Sequence, residues 1–101
     1  MKTPSDLRSE FLRRRMEFIH TELDTGAALV RLAQTERGLG RPDRAERQIE
    51  LAQRACQEAE RRIGECERAE WTAPFDAAQS KLAELKRLIS EFRGGGISPD
   101  E

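Results

Sequence analysis

Residues 29–52 read LVRLAQTERGLGRPDRAERQIELA, and this stretch decides the fold. At its centre, Gly38-Leu39-Gly40-Arg41-Pro42 stops one helix and starts another. Glycine suits the end of a helix and proline its first turn. On both sides apolar or small residues recur at alternating spacings of four and three. Upstream they are Leu12, Met16, Ile19, Leu23, Gly26, Val30 and Ala33; downstream, Ala45, Ile49, Ala52, Cys56, Ala59, Ile63 and Cys66. Such seams belong to helices that pack side by side. A short connection makes the two helices antiparallel neighbours. The small Ala and Cys side chains of the second seam let the backbones come close.

Working outward, other breakers divide the rest. Residues 5–37 and 43–71 each hold one Gly and no Pro, and residues 75–93 hold neither. Thr72-Ala73-Pro74 is a second break, and Gly94-Gly95-Gly96 ends the pattern. A third seam runs through Phe75, Ala78, Leu82, Leu85, Ile89 and Phe92. The expected fold is all-α: a long antiparallel helical hairpin plus a shorter third helix, a three-helix bundle with coiled-coil-like packing. It is one helical domain, 1–96, with helices at about 5–38, 42–71 and 74–93 and a flexible tail at 97–101. Thr3 with Asp6 and Asp43 with Glu46 have capping-box spacing, and Thr72 can cap the third helix. Glu10–Arg14, Glu50–Arg54 and Glu58–Arg62 are i,i+4 pairs in the favoured orientation.

The 101 residues suit a single domain, with charged and apolar residues at 37% each. The charges nearly cancel, 18 Lys+Arg against 19 Asp+Glu, so binding nucleic acid through a general basic field is not expected. No apolar run approaches the ~18 residues of a membrane span. No secretion signal is read at the N-terminus, and free thiols fit a reducing cytoplasm. Arg outnumbers Lys 15 to 3, a balance associated with GC-rich bacterial genomes.

Helix 1 carries a second apolar stripe, Phe11, Phe18, Leu29 and Leu32. The third helix, at ~30 Å against roughly 45–50 Å for the hairpin, is expected to start beside the start of helix 1, cover Phe11 and Phe18, and run out near residue 29. That leaves Leu29, Leu32, Leu39 and Leu51 as an open apolar tip, the candidate partner interface.

Other candidates are fewer. Cys56 and Cys66 sit ten residues apart on one expected helix, ~15 Å, too far for a disulfide. They read as small core residues. Glu17-Phe18-Ile19-His20 is one Glu-x-x-His step, where di-iron bundles use two plus further glutamates. Glu17 and His20 are therefore the metal candidates, while no metal or other cofactor is expected. Arg13-Arg14-Arg15 is the sole basic cluster and reads as a solvated face. Arg14 and Arg15 stand six and five residues before His20, with five and four residues between, a spacing that resembles the HEPN ribonucleases, which also require a second polar residue near the pair. No Gly-rich phosphate loop or Ser-His-Asp arrangement is present. Trp71, at the second corner, is expected to plug the base of the bundle.

Residues 29–52 also resemble one tetratricopeptide (TPR) repeat. Leu29, Leu32 and Ala33 fit the large, Leu and small positions of its first helix; Gly40 fits the turn; Ala45, Ile49 and Ala52 fit the second helix. Glu36 and Pro42 replace two large residues of that pattern, and its closing proline is absent. The resemblance implies a helical hairpin used for protein contacts. It covers a single repeat, whereas an array needs about three.

The expected role is a non-enzymatic protein–protein interaction or assembly module, a homodimer joined through the apolar tip. The alternatives are a small helical enzyme or metal- or ligand-binding bundle using Glu17 and His20, and a regulator touching nucleic acid through Arg13–Arg15.

Overall fold

The computed structural model describes residues 3–66 and 73–94. They form α1 (Pro4–Gly38), α2 (Pro42–Gly64) and α3 (Ala73–Arg93). α1 and α2 form a closely packed hairpin, and α3 packs against it. Ile19, Leu23, Val30, Ile49, Phe75 and Leu85 are almost wholly buried at the centre. Burying each such side chain favours folding by about 1.5–3 kcal/mol.

The caps follow from local chemistry. The Thr3 hydroxyl accepts from the Asp6 N–H at 3.1 Å, and the Asp6 carboxylate accepts from the Thr3 N–H at 3.3 Å. This is a complete capping box. At the other end of α1, Gly40 adopts φ +75°, the left-handed region that favours glycine. The Arg41 N–H then donates to the Glu36 carbonyl and the Gly40 N–H to that of Arg37, a Schellman closure. Arg41 also pairs with the Glu36 carboxylate at 3.4 Å, where an apolar contact is usual. α2 departs from expectation at its start. Its cap residue is Arg41, which makes no side-chain cap bond, and Pro42 opens the first turn. Asp43 is thus inside the helix, two residues past the capping position, and acts only as an acid near the positive helix end.

Two expectations about length are corrected. The seam carries helix 2 to 71, but α2 ends at Gly64, with Glu65 as its cap. Glycine's weak helix propensity outweighs the apolar phase that continues to Cys66. Residues 67–72, including Trp71 and the Thr72 cap, lie outside the described residues, as does the 97–101 tail. The second correction is the position of α3. His20 Nε2 lies 2.8 Å from the Pro74 carbonyl, Lys81 pairs with Asp24 at 3.0 Å, and the Arg37 guanidinium lies 3.6 Å over the Phe92 ring. α3 therefore starts level with His20 and runs to the tip. It covers neither Phe11 nor Phe18, which are 62% and 41% exposed.

Candidate functional site

The register of the hairpin locates the uncovered surface. Arg15 pairs with Glu65 at 3.1 Å, the Arg62 guanidinium lies 4.1 Å over the Phe18 ring, and a Cβ on Gly26 would meet that of Ala55 at 3.6 Å. Facing residues thus have numbers totalling about 80. Leu29 is level with Leu51, and Leu32 with Gln48.

Helical rotation then decides which face each residue occupies. Side chains two apart on a helix are ~200° apart. Phe18 therefore points away from His20, which faces Pro74 of α3. Leu51 points away from Gln53, which accepts from Arg93 of α3 at 2.9 Å. Phe18, Leu29 and Leu32 on α1, with Leu51 on α2, lie on the hairpin face opposite α3. Leu32 and Leu51 are 42% and 44% exposed, and Leu39 in the turn is 59% exposed. Leu29 is partly buried against the core. These exposures do not arise because α3 runs out, since α3 reaches the tip; they arise because α3 occupies the other face.

The same stripe continues along α1 past the end of α2. Leu7 is 53% exposed there and extends the stripe through Phe11 to Phe18. Leu7 stands four residues before Phe11, one helical turn, a spacing readable from sequence once the second stripe is followed to its start. Between Phe18 and the tip, Arg62 donates to Glu58 at 2.8 Å. The Glu58 carboxyl is held below its ordinary value, chiefly by the hydrogen bond from Arg61.

The remaining candidates gather at the base without forming a reactive constellation. A groove of about 700 Å³ is lined by Leu12, Met16, Cys66 and Pro74 together with Arg13, Arg15, Glu17 and His20. The Pro74 carbonyl can only accept, so His20 Nε2 carries the proton and donates. That nitrogen is not offering a lone pair to a metal. Among the described residues no group of three or more His, Cys, Asp or Glu side chains could hold a metal ion. The arginine cluster is split: Arg13 and Arg14 approach Glu10 at 4.0 and 3.9 Å, while Arg15 turns to Glu65. Cys56 is buried and its thiol is raised by desolvation. Cys66 lies beyond the helix, half-buried, with Sγ 3.5 Å from the Arg62 carbonyl. No helix among the described residues is long and apolar enough to cross a membrane.

The described residues thus form an all-α three-helix bundle with an exposed apolar stripe on the hairpin face opposite α3. No family model, curated protein or solved structure matches it.

Proposed function

We propose that this protein is a non-enzymatic association module whose uncovered hairpin face is closed by a second copy of the chain. The observation that carries the reading is the exposure of Leu32, Leu39 and Leu51 together on and beside one hairpin face. Exposed leucines scattered singly need no explanation, but a contiguous row rimmed by charge marks a contact surface. The hairpin with its TPR-like segment 29–52 supports the same role, since a helical face is a common protein-binding element. Near-zero net charge leaves little repulsion between copies. The arrangement needs no metal or cofactor, and a reducing cytoplasm suits the free thiols.

Sedimentation equilibrium tests this. The expected result is a dimer at high micromolar concentration. Leu32→Glu is expected to raise the dissociation constant about tenfold or more, the equivalent of about 1.4 kcal/mol, with the melting temperature of the monomer little changed. A strict monomer at high concentration overturns the reading. Unfolding by Leu32→Glu would instead make Leu32 part of the intramolecular core.

A further inference from the structure

The apolar stripe on α1 has two ends of different character. Leu7 and Phe11 stand on the stretch of α1 that passes beyond α2 and are 53% and 62% exposed. Leu29 and Leu32, joined by Leu51 from α2, form a patch on the hairpin. Both ends lie on one face of one straight helix, almost equally far from the level of Phe18 and Glu22. A two-fold axis at that level, perpendicular to α1, brings each end onto the other.

From this we infer that two copies pair antiparallel, the N-terminal arm of each α1 lying across the leucine patch of the other. The inference rests on the self-association reading and specifies its geometry. Leu7 meets the partner's Leu32 and Phe11 meets the partner's Leu29, because both pairs have numbers totalling about 40. The partner's Leu51, level with the partner's Leu29, also faces Phe11. An exposed ridge and an exposed patch satisfy one another, and one symmetric contact closes both ends.

Charge complementarity at the axis supports the same register independently. In the hairpin Arg62 is level with residue 18 and Glu58 with residue 22, so the antiparallel pairing sets Arg62 of one copy against the partner's Glu58. Arg62 and Glu58 already form an ion pair at 2.8 Å, with side chains 32% and 35% exposed. Two such pairs meeting head to tail alternate in sign instead of opposing like charges. Glu22 of the partner subunit lies at the same level, giving Arg62 a second acidic neighbour.

The area is sufficient. From Leu7 to Leu32 the stripe is ~38 Å long, and a contact one to two helices wide (~10 Å each) covers about 400–750 Å² per partner. The total of roughly 800–1,500 Å² spans the ~1,000 Å² expected of a specific interface. A second copy is the occupant that supplies both the arm and the complementary charges.

Disulfide trapping between single-cysteine variants tests the register. Leu7→Cys and Leu32→Cys are made separately in a Cys66→Ser background; the remaining Cys56 is buried, with its thiol pushed up by desolvation. Mild oxidation with diamide is expected to give a covalent dimer from the mixed variants and from neither alone. In the antiparallel register two copies of residue 7 stand ~38 Å apart, far beyond disulfide reach. Phe11→Glu is expected to raise the dissociation constant about tenfold or more, as Leu32→Glu does, with the monomer's melting unchanged. A dimer that cross-links through Leu32→Cys alone, or that survives Phe11→Glu unweakened, overturns the arm-over-patch arrangement and leaves self-association standing. A chain that sediments as a monomer overturns both.

Discussion

At Gly26 all three helices come within contact. A Cβ placed there would sit 2.6 Å from Leu85 Cδ2 of α3 and 3.6 Å from the Ala55 Cβ of α2. Two opposed effects act on Gly26→Ala. The backbone gains about 1 kcal/mol of helix preference. The Leu85 side chain, itself 1% exposed, must move aside in a packed core, which costs a similar amount. The expected net change is within about 1 kcal/mol of zero. Gly26→Leu has no such balance, since a whole side chain must enter the space Leu85 fills, and it is expected to destabilise by more than about 2 kcal/mol. Denaturant unfolding of the two variants checks both values. The phase of the seam was enough to place Gly26 inside from the sequence. Which side chain fills the space beside it depends on how far α3 slides along α1, and no local pattern encodes that.

The elements were legible to different degrees. Thr3 with Asp6, Gly40 and Pro42 each carry a terminus by local chemistry, and α1 begins and ends where they stand. The end of α2 is different. Gly64 is a single weak breaker in a seam whose phase runs on to Cys66, so periodicity overshoots. Stopping seven residues early removes ~10 Å of helix and moves the start of α3 toward the tip. The exposed leucines were legible as a stripe, but the reason for their exposure was not. It depends on the side of the hairpin that α3 takes. That side is held at its rim by charge pairs: Arg93 with Glu46 at 2.7 Å, Lys81 with Asp24, and Lys86 with Glu60. The hydrogen bond from Arg93 lowers the Glu46 carboxyl from its ordinary value of 4.5. A carboxyl lowered in the folded state binds protons more readily when unfolded. Its contribution is therefore complete above pH 4.5 and is lost as pH falls through the lowered folded value. Melting temperature is expected to hold from neutral pH to about 5 and to fall below it, and Glu46→Gln is expected to be less stable at neutral pH and less acid-sensitive. A calorimetric pH series on both chains measures this. Equal acid sensitivity in the two would remove Glu46 from the account. These pairs are exposed, so each effect is small and should shrink with added salt.

For the whole molecule, shape distinguishes the ways two copies can meet. The described chain measures 58 × 28 × 16 Å, a flat rod whose length is that of α1. An antiparallel dimer centred near Phe18 and Glu22 overlaps the two rods along almost their full length, because that level is close to the midpoint of Pro4–Gly38. Its longest dimension should stay close to the 58 Å of one chain while its cross-section grows. A dimer joined through Leu39 at the turn alone would set the rods end to end and approach twice that length. Small-angle scattering of the dimer at a concentration where sedimentation finds it complete distinguishes them. A maximum dimension near that of one chain is the expected outcome, and a value near double it would shift the contact from the face to the turn. The same measurement on Leu32→Glu should return the monomer, with a Cα radius of gyration near 16.7 Å, because an introduced carboxylate resists burial in an apolar contact.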